Sequence, residues 1–315
     1  MLSVAETGEE EIDTPLKNDE ESGLTGLGLS SLLASTTPKE VLPLQAIIFT
    51  DLDGSLLDHG DYSCEAAKQS LARIKRSAIP LIIATSKTRR EVEPLRRDLG
   101  LTDPFIVENG GGIFFPRGYR NMAVEGGESE GDYTIVRLGV SYPIVRGFLE
   151  RMKGRFAVRG FGDLTNSEIA ELTGLSPEQA GLAKTRDFTE PFLPEREEDI
   201  ASLSELAAGE GIRITRGGRF FHLHGVLQDK GEAVRIAGDI VRKIYGGNAT
   251  TIGLGDSEND LPMLMQVDIP VVIPHPERGY LNVALPGLIR AKEPGSRGWN
   301  EAVERLLNQL EAKGL

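Results

Sequence analysis

At 315 residues, with 39% hydrophobic residues and a formal net charge of −13, the chain is long enough to bury a sizeable core. A single cysteine, Cys64, excludes an intrachain disulfide and every cysteine-based zinc spacing, which suits a reducing compartment. No apolar run approaches the ~20 residues that cross a bilayer, and no basic patch is interleaved with aromatics, so the expectation is a cytoplasmic protein engaging neither membrane nor nucleic acid.

Residues 1–40 carry nine acids and two lysines, so much of the negative excess lies there. Residues 1–43 are poor in apolar side chains and read as a disordered acidic leader. From residue 44 a rhythm of apolar strand and amphipathic helix begins. "LQAIIFTD" is a buried strand, "SCEAAKQSLARIKRSA" a helix and "IPLIIATS" a second buried strand. "SKTRREVEPLRRDLG" reads as a helix that Pro94 must bend or delay, because an interior proline costs about 3 kcal/mol. "PFIVENGGGIFFP" carries an Asn-Gly hairpin signal.

Between residues 118 and 224 the rhythm changes to an α+β mixture, with strand candidates such as "RFAVRGFG" and "IRITRGGRFFHLHG" between short helices. The first rhythm then returns: helix "DKGEAVRIAGDIVRKIYG", buried strand "ATTIGLGD", helix "ENDLPMLMQV", strand "DIPVVIP" and a closing helix. Near-continuous apolar strands alternating with helices predict a parallel sheet covered on both faces. The expected division is core 44–117, inserted domain 118–224 and core 225–315.

Two acidic knots stand at strand ends, where open α/β sheets bind ligands. Asp51 and Asp53 in "DLDG" are two residues apart and so face one side. Asp256, Asn259 and Asp260 follow another buried strand in "GDSEND". Such crowded carboxylates cannot all stay ionised without a cation, and an oxygen-only donor set suits Mg2+. Thr85 ends a strand and offers a hydroxyl; on its own it is equally a turn or cap residue. Lys230 would open a helix behind Asp229, with Glu232 at capping-box spacing, and on its own could be a solvated first-turn lysine.

Taken in order, DLDGS, the strand-end Thr85, DKG and GDSEND resemble the four motifs of the haloacid dehalogenase superfamily. The fold implied is α/β: a Rossmann-like parallel-sheet core with an inserted α+β cap of the C2 type. The resemblance makes Asp51 the nucleophile that becomes an aspartyl-phosphate and Asp53 the acid and then the base. Thr85 and Lys230 complete the catalytic set, and the Mg2+ ligands come from Asp51, Asp53, Asp256 and Asp260, with Asn259 in close support. Ser55 stands where many relatives have Thr. Further stretches, among them "RDFTEPF", "GGRFFHLHG" and "GLGDSENDLPML", narrow the similarity to the mannosyl-3-phosphoglycerate phosphatase family.

That similarity implies a substrate with a phosphate, a carboxylate and a sugar. Lys87, Arg89 and Arg219 are candidates for its anions, and Asn109, Glu190 and His222 for its hydroxyls. Each has a plainer reading: Arg89 an exposed helix residue, Asn109 a turn former, Glu190 a surface charge, His222 a half-buried strand residue. The implied reaction is Mg2+-dependent hydrolysis of mannosyl-3-phosphoglycerate to mannosylglycerate, a compatible solute. Its rivals are the glucosyl analogue or another sugar phosphate, a phosphomannomutase-like isomerase, and a non-catalytic sugar-phosphate sensor.

Overall fold

A computed structural model describes residues 45–314; the acidic leader expected over 1–43 lies outside them. The first apolar run is strand β1 (Ala46–Thr50), buried at every position, followed by helix α1 (Lys68–Arg76) and buried strand β2 (Leu81–Ala84). Helix α2 (Arg89–Asp98) starts late: Thr88 and Glu91 form a reciprocal capping box at its N-terminus, and the helix continues through Pro94. Strands β3 (Phe105–Val107) and β4 (Gly112–Pro116) form the expected hairpin, and β5 (Glu128–Glu130) and β6 (Tyr133–Arg137) follow.

Next come α3 (Tyr142–Met152), β7 (Val158–Gly160), α4 (Asn166–Thr173), α5 (Pro177–Lys184), β8 (Glu190–Pro194), α6 (Asp199–Ala208), β9 (Ile212–Gly217) and β10 (Phe220–Gly225). The chain then returns to α7 (Lys230–Arg242), β11 (Thr250–Gly255), α8 (Leu261–Leu264), β12 (Ile269–Val272), β13 (Ile289–Arg290) and α9 (Gly295–Lys313). Among the described residues no helix is long and apolar enough to cross a membrane.

The larger sheet runs β13-β12-β11-β1-β2-β3-β4-β6-β5. From β13 to β3 every pair is parallel, and from β3 outward every pair is antiparallel. β5 and β6, within residues 118–224, thus extend the core sheet through β4. Alternate residues of β1 feed opposite layers. Ala46 and Ile48 pack with Trp299 and Leu306 of α9, whereas Ile47 and Phe49 pack with Val234 and Ala237 of α7. The fold is therefore α/β with helices on both faces. Because β2 leaves β1 on one side and β11 returns on the other, the carboxyl end of β1 is a switch point, where a crevice opens.

The second sheet, β7-β8-β10-β9, is antiparallel throughout and has its own core. Val145, Phe148 and Leu149 of α3 and Leu203 of α6 cover one of its faces. On β10 the residues directed to that face are Phe221 and Leu223, paired with Phe192 and Glu190. His222 and His224, paired with Thr215 and Arg213, alternate to the other face.

Candidate active site

β1 delivers Asp51 to the switch point, and two links brace it there. Trp299 Nε1 of α9 donates to Thr50 Oγ1 at 2.9 Å, and that hydroxyl donates to the Asp51 carbonyl at 2.7 Å. Gly54 makes the turn after Asp53 with φ +77°; a Cβ there would lie 2.5 Å from Asp256 Oδ2. Only glycine brings the two acidic loops this close.

Lys230 opens α7 behind Asp229, whose carboxylate accepts from the Glu232 amide at 2.9 Å. Glu232 itself turns to Arg235, so the cap is one-sided. Gly110, at φ +91°, lets the β3–β4 turn press on this helix start, since a Cβ would sit 2.3 Å from the Asp229 carbonyl. The Lys230 ammonium is buried and donates to Asp51 Oδ1 at 2.7 Å and to Asp260 Oδ1 at 2.5 Å. Burial alone would lower its pKa, but the Asp260 and Asp51 carboxylates outweigh that and hold it above its ordinary value.

Asp51, Asp256 and Asp260 each place an oxygen within 4.8 Å of the others. Burial, reinforced by the Asp260 charge, pushes Asp51 well above the usual carboxylate range and Asp256 up to about 7. Asp53 Oδ1 and Asp256 Oδ1 are buried without a hydrogen-bond partner. Asp260 is fully engaged: its Oδ1 takes Lys230, and its Oδ2 accepts from the amides of Asp256 and Ser257 at 3.0 and 3.1 Å. The free oxygens therefore belong to Asp51, Asp53 and Asp256, a hard donor set that fits a small divalent cation.

Lys87 Nζ meets Asp53 Oδ2 at 2.9 Å and lies 4.0 Å from Glu91. Burial opposes its charge, but Asp53 and Glu91 hold it above the ordinary lysine value. Thr85 Oγ1 accepts from the Lys87 amide at 3.2 Å, and the Thr85 carbonyl accepts from the Asn109 amide at 2.9 Å. Asn109 has φ +54° and a buried Oδ1 without a partner.

Asn109, Lys230 and Asp256 line a cavity of ≈ 790 Å³ between the two sheets, together with His222 and Asn259; Asp51 is joined to it through Lys230, whereas Asp53, Thr85 and Lys87 lie outside its lining. The structure does not bring Arg89, Glu190 or Arg219 into it. Arg89 is held at 3.2 Å by both Glu93 and Asp187 and faces a groove along α2. Glu190 is directed to the helix-covered face, where Arg146 donates to it at 3.0 Å and the Gly162 amide at 2.9 Å. Arg219 reaches out to the Leu172 carbonyl at 2.6 Å and is exposed.

The arginines that line the cavity are instead Arg186, Arg213, Arg216 and Arg278, with Thr215 and His224 beside them. The alternation Ile-Arg-Ile-Thr in β9 separates Arg213 and Thr215 from the core-facing Ile212 and Ile214, which was the available signal. Burial, aided by the Arg186 and His224 charges, lowers the His222 ring from 6.5 to about 3, so it offers a hydrogen bond and no charge.

That depressed value has a stability consequence. The contribution of neutral His222 is complete above pH 6.5 and is lost as pH falls from 6.5 toward 3. Because part of the ring faces the cavity, we expect a loss of about 1–2 kcal/mol in urea unfolding between pH 7 and pH 5. His222→Gln should flatten that portion of the profile; an unchanged profile would show that the ring titrates freely.

A family model described as haloacid dehalogenase-like hydrolase matches residues 48–122. The chain is 53% identical over 84% of its length to a glucosyl-3-phosphoglycerate/mannosyl-3-phosphoglycerate phosphatase of Persephonella marina, 98% of which is covered. It is 42% identical to a protein of the same name from Methanococcoides burtonii, over 84% of this chain and 98% of the relative. In fold it resembles a haloacid dehalogenase-like hydrolase from Bacteroides thetaiotaomicron, with a TM-score of 0.58 at 17% identity, covering 83% of this chain and 99% of that one. The sequence identities, over nearly whole relatives, carry the assignment: the chain is a phosphoric monoester hydrolase and belongs to the mannosyl-3-phosphoglycerate phosphatase family of the haloacid dehalogenase superfamily.

Proposed function

We propose that this hydrolase removes phosphate from glycosyl-3-phosphoglycerates, taking both the glucosyl and the mannosyl ester, through an aspartyl-phosphate on Asp51. The observation that carries the reading is the Asp51, Asp53, Lys230 and Asp256 cluster, which meets an arginine-lined cavity through Lys230 and Asp256. The printed names of the 53% and 42% identical relatives, which include both sugars, support the substrate class.

Asp51 attacks phosphorus, and the bond from phosphorus to the glycerate oxygen breaks as Asp53 gives that oxygen its proton. Asp53 then takes a proton from water, whose oxygen displaces Asp51 and releases inorganic phosphate. Lys87 keeps Asp53 in place for both transfers. Lys230 fixes the Asp51 carboxylate and sets a positive charge beside the phosphoryl oxygens. Asp51, Asp256 and the Asp53 carbonyl would hold a divalent cation, for which Mg2+ suits the oxygen donors. When bound, it neutralises phosphate charge that would otherwise repel the nucleophile.

We assign residues 140–225 the role of a cap over a core formed by the remaining described residues. Its cavity-facing sheet face, with Arg213, Thr215, His222 and His224, supplies cations for the anionic glycerate and polar groups for the sugar.

The deciding experiment is phosphate release with Mg2+ from the glucosyl and mannosyl esters, hexose 6-phosphates and sucrose phosphate. We expect kcat/KM for the two glycosyl-3-phosphoglycerates to lead by roughly 100-fold or more, the worth of two well-placed charged contacts. A hexose 6-phosphate in front would overturn the substrate assignment. The two halves of the reaction can also be separated. With 4-nitrophenyl phosphate, whose leaving group needs no proton, Asp53→Asn should keep a burst of nitrophenolate while steady turnover falls by about 10²–10⁴. Loss of the burst as well would remove Asp53 from its assigned role.

A further inference from the structure

The turn between β3 and β4 carries a buried carboxylate that the chemistry above leaves unused. Glu108 is 1% exposed and sits at φ +51°, a conformation that persists in a non-glycine residue only when its surroundings dictate it. Its Oε1 accepts from the Asp187 amide at 2.7 Å. Its Oε2 accepts from the amides of Phe188 and Thr189 at 3.1 and 2.8 Å and from Thr189 Oγ1 at 2.6 Å. One core carboxylate thus gathers three successive amides of the segment that leads into β8.

The residue just before that segment is Arg186. Its Nε donates to Thr189 Oγ1 at 2.7 Å and lies 3.4 Å from Glu108 Oε2. Its Nη1 donates to the Ala183 carbonyl at 3.1 Å and its Nη2 to the Ser86 carbonyl at 3.3 Å. A guanidinium has five N–H groups; with three engaged, two remain for a ligand, and Arg186 looks into the cavity beside Ser86, Asn109 and Lys230. The Thr189 hydroxyl joins the two ends: it accepts from Arg186 and donates to Glu108, a chain in which each bond polarises the next.

We propose that Glu108 is a positioning residue for substrate: through Thr189 it aims the Arg186 guanidinium at an anionic oxygen of the phosphate ester in the cavity. This rests on the phosphatase reading above. A glutamine at 108 keeps the volume but turns an NH2 group toward amide donors and removes the negative charge beside Arg186, so the guanidinium loses its fixed direction. A contact made equally in ground and transition states appears in KM.

The test is a double-mutant cycle read as KM and kcat with glucosyl-3-phosphoglycerate and Mg2+. Glu108→Gln and Arg186→Gln should each raise KM about tenfold or more, with kcat within about threefold. Together they should be no more than about twofold worse than Arg186→Gln alone, because one acts through the other. Effects that multiply, or a wild-type KM in Glu108→Gln, overturn the proposal. If Glu108→Gln does not fold, Thr189→Val breaks only the relay. It should raise KM roughly three- to tenfold in the wild-type background and not in Arg186→Gln, and Thr189→Ser should restore the wild-type value; equal increases in both backgrounds overturn the proposal. A wild type inert toward the glucosyl ester defeats the functional reading instead, and the cycle is then read on 4-nitrophenyl phosphate under the same criteria.

Discussion

Asp51→Asn is expected to release inorganic phosphate at least ~10⁴-fold more slowly than the wild type, a loss of about 5 kcal/mol of transition-state stabilisation. Asparagine keeps the shape and can still accept from Lys230, so on the proposed reaction what disappears is the attacking oxygen and one negative ligand for the cation. The stability effect should run the other way. Burial, together with the Asp260 charge and against the pull of Lys230, raises Asp51 well above its unfolded value. A carboxyl raised in this way stabilises the fold while protonated, and that contribution is lost as pH climbs through the folded value. Asparagine removes that liability, so metal-free Asp51→Asn should melt at or above the wild-type temperature at pH 7–8. Activity and stability moving in opposite directions would separate a nucleophile from a structural carboxylate. Phosphate release within tenfold of the wild type, or the absence of any acid-stable phosphoenzyme when the wild type is quenched during turnover, would remove Asp51 from that role.

The core half of this site was legible because its chemistry is carried by short stretches whose geometry is local. β1 and β11 are largely buried strands followed directly by acids, and residues two apart on an extended segment must face the same way, so Asp51 and Asp53 could be placed without a structure. Lys230 was legible through Asp229, because a capping aspartate marks where a helix starts. The cap half was less so. Alternation separates the two faces of β10, but it does not say which face turns toward the core. Glu190 is a case in point: its register opposite Leu223 directs it to α3 and Arg146, while Arg186, four residues earlier, looks into the cavity. Arg89 was read as an anion-binding candidate or an exposed helix residue; it is the first residue of α2, and Glu93 one turn on and Asp187 across the fold claim its guanidinium. β5 and β6 show the same limit at the scale of the sheet, since the pairing that carries them onto β4 depends on a distant edge being open.

Lys230→Met should lower both activity and stability, unlike the change at 51. Methionine fills nearly the same volume, so the loss is electrostatic: the ammonium lies between Asp51 and Asp260, and removing it leaves two buried carboxylates facing each other. Breaking a buried ion cluster from one side costs about 3–5 kcal/mol, because the remaining charge keeps its desolvation penalty and loses its partner. The sign with pH follows from Asp51, already raised with the lysine in place. Without Lys230 the carboxyl is raised further, so the variant is close to the wild type in acid, where Asp51 is protonated, and falls behind as pH rises. Urea unfolding of both proteins at pH 5 and pH 8, without metal, measures that widening gap. Added Mg2+ should narrow it, since a divalent cation on Asp51 and Asp256 supplies part of the missing positive charge. Phosphate release should remain depressed by roughly 10³-fold even with Mg2+, as the charge beside the phosphoryl oxygens is not replaced in position. A variant that unfolds with the wild type at pH 8 and keeps its rate would show that the ammonium is a spectator, and the cluster would then have to be held together by the cation alone.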